Sequence, residues 1–175
     1  MRKLLNEELN RLSIEGFQET TKIPIVIVLD NIRSQLNVGS IFRTADAFLI
    51  EAIYLCGITG TPPHRDIQKT ALGATETVSW KYFANSMDAI AHLKLQGYLI
   101  AAIEQADKAT MLQQLHYDTN HKIALVFGNE VEGVQQEIVS HADVVVEIPQ
   151  LGTKHSLNIA VAVGVVLWEM VRDIV

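Results

Sequence analysis

An α/β domain with a mainly parallel sheet flanked by helices is the architecture this sequence predicts, on three observations. Short apolar runs recur at residues 23–29, 52–56, 78–83, 98–103, 123–127 and 144–148. Several are apolar at every position rather than at alternate ones, the pattern of parallel strands covered on both faces. Segments with helical spacing fall between them, at 38–48, 87–96, 135–140 and 157–171. Strands that alternate with helices in this way form one sheet with helices packed on it.

The elements follow in order. Leu5, Leu9 and Leu12 keep helical spacing, so residues 2–13 are expected to form a short amphipathic helix, ended by Gly16. The polar run 18–22 is a linker, which makes 1–22 a helical extension of a single domain spanning 1–175. Pro24 is tolerable only near the start of its strand or at an edge. Ser86 reads as the cap and Gly97 as the stop of the helix between them. The last helix carries almost no polar residue in its first half, and a helix apolar on nearly every side is expected to be buried on nearly every side. Ser156 and Asn158 stand where it begins, among backbone N–H groups able to receive a ligand. The plainer alternative makes Ser156 the N-cap of a core helix.

Composition narrows the class. The hydrophobic fraction of 49% and charged fraction of 19% are those of an ordinary globular protein. No apolar run reaches the roughly 18 residues of a membrane span, and the start has acids among its apolar residues and no cleavage site of a signal peptide. Cys56 is the single cysteine and has no internal partner, which fits a reducing, cytoplasmic setting. Fourteen basic against twenty acidic residues give a net charge of −6, so a nucleic-acid partner would have to meet cations gathered locally.

Three polar clusters interrupt the apolar scaffold, each after a predicted strand, where open α/β sheets hold ligands. The first is DNIRSQLNVGSIFRTAD, in which Asn37 and Gly39 open a helix and Arg43 lies about one turn in. Its plainer reading makes Asn37 an N-cap and Arg43 a surface partner of Asp46 or Glu51. The second is GNEVEG, with Glu130 between Gly128 and Gly133; an ordinary turn with an exposed Glu looks the same. It is neither a dinucleotide fingerprint nor a phosphate-cradling loop. The third is the loop of Gly152, Thr153, Lys154, His155 and Ser156, leading to Leu157 and Asn158. A fourth stretch, GITGTPPHRDIQKTALGA, is expected to be a long loop carrying His64, Arg65 and Lys69. With Arg33, Arg43, Lys154 and His155 it could form a local basic surface, or it is a solvated loop with a few cations. The remaining histidines lack metal-ligand spacing, and there is no Gly-x-Ser-x-Gly nucleophile.

Taken together and in order, NVGSIFRTADAF, LVFGNEVEGV and IPQLGTKHSLNIAVAVGVVLWE resemble the three motifs of the SpoU/TrmH group of the SPOUT superfamily. The likeness runs over about residues 23–171. Ala160 and Gln150 depart from the usual pattern, and no separate RNA-binding domain of the kind some members have is expected within these residues. The resemblance implies a sheet whose C-terminal part is threaded into a deep trefoil knot, which topology rules alone would not suggest. It implies a homodimer with composite active sites, S-adenosyl-L-methionine as cofactor, and methylation of a ribose 2′-hydroxyl in tRNA or rRNA.

By the same resemblance Arg43, Asn37, Glu130, Ser156 and Asn158 are the catalytic set, and Ile103, Gly128, Ile148 and Leu157 the cofactor-binding positions. Arg33, His64, Arg65, Lys69, Lys154 and His155 are expected to face RNA, with no metal involved. A guanidinium stays protonated at any working pH, so Arg43 suits phosphate binding and alkoxide stabilisation better than proton abstraction. The rivals are a non-catalytic RNA-binding protein on this scaffold, an RNA base methyltransferase, and a dinucleotide oxidoreductase.

Overall fold

The computed structural model describes residues 1–118 and 120–174, apart from the Asn6 side chain. After a 3-10 turn at Asn6–Leu9 the order is α1 (Ile14–Glu19), β1 (Ile23–Asp30), α2 (Gln35–Ala47), β2 (Ile50–Cys56), α3 (Arg65–Ala71), α4 (Ala74–Thr77) and β3 (Ser79–Phe83). There follow α5 (Ser86–Leu95), β4 (Leu99–Ile103), β5 (Thr110–Met111), a 3-10 turn at Leu112–Gln114, β6 (Ile123–Phe127), α6 (Gln136–His141), β7 (Val144–Glu147) and α7 (Ile159–Val171). The seven strands lie in the order β3-β2-β1-β6-β4-β7-β5, and every pairing is parallel.

The unbroken apolar runs are explained by two covered faces. Side chains alternate across a strand, so Ile25, Ile27 and Leu29 of β1 join a core with Val38, Ile41 and Phe42 of α2 and Val163, Val166 and Leu167 of α7. Val26 and Val28 turn to the other face, against Ile90 and Leu93 of α5 and Ile138 of α6. Each such side chain, fully withdrawn from water, contributes about 1.5–3 kcal/mol.

The order of strands also decides where loops meet. β4 lies between β6 and β7, and β6 beside β1, so the carboxyl ends of these four strands, at Asp30, Phe127, Ile103 and Glu147, adjoin one another. Asp30, fully buried, fastens this end of the sheet. Its carboxylate accepts from Asn31 Nδ2 at 2.9 Å, from Ser86 Oγ, and from Gln135 N and Nε2 at 3.1 and 2.6 Å. A buried carboxylate needs such partners, and here they pin α5 and the start of α6 to β1.

Several expectations are corrected. Residues 2–13 are not one helix: beyond the 3-10 turn, α1 begins at Ile14 and contains Gly16. Leu4, Leu5 and Leu12 are exposed, so the apolar stripe has no surface to pack on, and packing is what sustains a short helix. The stretch expected to be a long loop holds α3 and ends at the first residue of α4, and the two-residue edge strand β5 was too short to announce itself. The cap of α2 is Ser34, whose Oγ accepts from Asn37 N at 3.3 Å, and that of α5 is Asn85. The cap of α7 is Asn158, whose Oδ1 accepts from Ala160 N at 2.9 Å and Val161 N at 3.4 Å, which displaces Ser156 from that part. Finally, α7 is not buried all round: Val161, Val165 and Trp168 form an exposed stripe along it, Trp168 at 53%.

Candidate active site

The loops after β4, β6 and β7 enclose a cavity of about 880 Å³ beyond the carboxyl ends of the strands. That is within the range of small-molecule sites. Its lining includes all four positions expected to hold a cofactor, Ile103, Gly128, Ile148 and Leu157, together with Glu130, His155, Ser156 and Asn158.

The loop after β6 is a closed turn whose shape depends on its glycines. Asn129 N donates to Gly133 O at 3.0 Å and Gly133 N to Asn129 O at 2.9 Å. A Cβ on Gly128 would lie 2.0 Å from Val134 N, so only glycine admits this approach. Gly133 sits at φ +73°, where a side chain is strained. Asn129 accepts from Val131 N and Glu132 N, and its Nδ2 donates to Asn31 O at 2.7 Å, tying the turn to the end of β1.

Glu130 reaches from this turn to the beginning of α2. Its carboxylate accepts from Arg33 N and Ser34 N, both at 3.1 Å, and from Asn37 Nδ2 at 3.4 Å. A negative group there also complements the helix dipole. Burial pushes the Glu130 carboxyl up, but the backbone amides of Arg33, Glu130 itself and Ser34, with the Asn37 side chain, outweigh it and hold it below the ordinary carboxylate value. Asn37 Oδ1 in turn accepts from Asn158 Nδ2 at 3.2 Å. Glu130, Asn37 and Asn158 therefore form one hydrogen-bonded row, its links spanning 93 and 121 residues of chain, that joins all three polar clusters.

The other expected residues are distributed differently. Asn37 and Arg43 part company: the Asn37 amide is engaged by Glu130 and Asn158, and six residues at about 100° each put Arg43 on another side of the helix. Arg43 is exposed, and it is not among the residues lining the cavity. Ser156 is exposed on the cavity wall. Arg33 lines a neighbouring depression with Asn31, Ile58 and Glu137. His64 caps α3, its Nδ1 accepting from Asp66 N at 3.2 Å, while Arg65 and Lys69 are exposed on that helix, which packs on α2. Lys154 is exposed in the loop after β7 and lies outside the cavity lining. Among the lining residues that escaped the sequence reading are Glu104 and Gln105, which belong to no motif. Their only signal was a polar pair directly after an apolar strand.

The lining has a definite charge. Glu104, Asp107, Glu130 and Glu132 face it, and among the described residues it has no Lys or Arg. Such a wall repels the pyrophosphate of a dinucleotide and suits a ligand carrying positive charge. Cys56, buried at the end of β2 with its thiol pushed up to about 12 by burial, lies outside the lining.

Comparison with known proteins agrees with this geometry. The chain is 30% identical over 165 residues to the 23S rRNA (guanosine-2′-O-)-methyltransferase RlmB of Neisseria meningitidis, with 94% of this chain and 65% of that protein covered. It superposes with a TM-score of 0.82 and 28% identity on the AdoMet-bound rRNA methyltransferase of Sinorhizobium meliloti, covering 91% of this chain and 60% of that one. The TrmH/SpoU tRNA-modifying enzyme of A. aeolicus gives 0.80 and 27%, over 91% and 79%. The chain thus spans less than two thirds of the first two proteins. The profile of the SpoU rRNA methylase family matches residues 24–168, nearly the whole sheet and its helices, and the chain belongs to that family.

Proposed function

We propose that this protein transfers a methyl group from S-adenosyl-L-methionine to a ribose 2′-hydroxyl of tRNA or rRNA. The observation that carries the reading is the row Glu130–Asn37–Asn158 set against a cavity walled by carboxylates. A cationic cofactor fits that wall, and the relatives named for 2′-O-methylation and for bound AdoMet agree with it. When bound, the cofactor supplies an electrophilic methyl carbon on a sulfonium.

The protein's own residues supply position and charge. Ile103, Gly128, Ile148 and Leu157 hold the cofactor in the loops at the strand ends. The row keeps the three loops in register, and Ser156 on the cavity wall meets the incoming ribose. Arg43 binds the phosphate beside the target nucleotide and stabilises the oxyanion as its proton passes to water; a positioned cation of this kind is worth about 3–4 kcal/mol of barrier. Arg33, Arg65, Lys69, Lys154, His64 and His155 are the local cations and donors for RNA on an otherwise acidic chain.

The functional unit is a homodimer that covers the apolar stripe Val161, Val165 and Trp168 of α7, an uncommon thing to leave in water. A second copy seated there brings a second Arg43 towards the first cavity, which accounts for an arginine that faces away from its own. The trefoil knot of the wider group belongs to this reading too, as does a single catalytic domain preceded by 1–22 and acting in the cytoplasm.

The test uses the 2′-hydroxyl, which is the internal nucleophile when alkali cleaves RNA. RNA given radioactive methyl groups by this protein should release them as alkali-resistant dinucleotides. Label in single modified nucleotides would identify a base methyltransferase. Tight RNA binding without label would identify a non-catalytic binding protein.

A further inference from the structure

We propose that Glu104 and Gln105 form a two-armed clamp that sets the spacing of the cofactor loops, as positioning residues outside the three motifs. The proposal rests on the methyltransferase reading only for its effect on catalysis. It starts from the sheet order: β4 has β6 on one side and β7 on the other. The residues that follow β4 are thus flanked by the loops after β6 and after β7, and consecutive side chains can reach opposite ways.

They do so here. Glu104 Oε2 accepts from Val134 N, in the loop after β6, at 2.9 Å, while its Oε1 accepts from Gln105 N at 2.8 Å. Gln105 Nε2 donates to His155 O, in the loop after β7, at 2.8 Å. A second observation supports the first arm. A Cβ on Gly133 would lie 2.2 Å from Glu104 Oε2, so the carboxylate occupies the room that glycine leaves. The acid is needed for its chemistry, because both oxygens accept from N–H groups. A glutamine there would turn an NH2 group towards one of those donors. All three loops line the one cavity, so the clamp holds together Gly128 and Glu130 on one side and Ser156, Leu157 and Asn158 on the other.

The experiment measures peptide-resolved hydrogen exchange in the cofactor-free protein, which needs no activity. E104Q should speed exchange in residues 129–134 and leave 150–158 unchanged. Q105A should do the reverse, and Q105K, whose ammonium can still donate to the His155 carbonyl, should restore protection. In the methyl-transfer assay, both E104Q and Q105A should raise KM for S-adenosylmethionine about three- to tenfold, with kcat and RNA affinity within about twofold. Unchanged exchange in both loops would overturn the clamp even if the protein methylates RNA. The exchange pattern without any methyl transfer would keep the clamp and overturn the reading of the site. A fall in kcat alone, with KM unchanged, would overturn the positioning role.

Discussion

Replacing Glu130 by glutamine tests whether the three clusters are held as one unit. The carboxylate accepts two backbone N–H groups and one side-chain amide, at 3.1, 3.1 and 3.4 Å. The isosteric amide keeps one acceptor oxygen and turns an NH2 group on a donor. Shielded hydrogen bonds to a charged group are worth about 1.5–3 kcal/mol each. This site is open, so water recovers much of that, and about 1–2 kcal/mol in total is the expected loss. For a chain of this length that lowers the melting temperature by about 2–8 °C. The same energy lost from the arrangement of Asn37 and Asn158 slows transfer about 5- to 30-fold. Acid should mimic the substitution. The folded carboxyl titrates below its ordinary value, so the unfolded chain binds more protons in that window. Glu130's contribution is therefore whole above about pH 4.3 and is lost as the pH falls through the folded pKa. Melting curves from pH 7 to 3, run beside single-turnover transfer assays, measure both effects. An E130Q protein with the parent's melting curve at every pH and full transfer would refute the reasoning.

Three other outcomes are expected. G39A should lower stability by about 1–3 kcal/mol in urea titration, because its Cβ would lie 2.2 Å from Ile67 O and Thr70 Oγ1 where α2 meets α3; an unchanged midpoint would mean the helices can separate freely. R43A should cut transfer several hundredfold while calorimetry finds S-adenosylmethionine affinity intact, since the part proposed for Arg43 is on the RNA phosphate and the developing oxyanion and not on the cofactor; lost cofactor binding would make it structural. W168E places a charge in the exposed stripe of α7 and should convert a sedimenting dimer to monomer with loss of transfer; an unaltered dimer would move the interface elsewhere.

Much of the site was legible because its residues are local in sequence. Gly128 and Glu130 stand together after an apolar strand, and Ser156 to Asn158 stand before a helix, so pattern made both loops candidates and the family resemblance gave them their expected parts. The sheet was legible for a related reason: parallel strands buried on two faces must be apolar at every position, as residues 25–29 are. Length did not suffice for β5, and α3 was hidden by the Gly and Pro residues just before it. What caps a helix was decided by tertiary contacts. Asn158 both caps α7 and bonds Asn37, while Ser156, equally able in isolation, faces the cavity. The order of strands is likewise invisible along the chain, since a parallel sheet can be strung in many ways with the same periodicity. Only that order puts Glu104 and Gln105 between two loops. The sequence by itself determined the alternation of strands and helices and the polar clusters between them, because composition and spacing constrain each segment locally. The tertiary structure decided which of them meet, because the hydrogen bonds that join them span up to 121 residues and exist only once the sheet has formed.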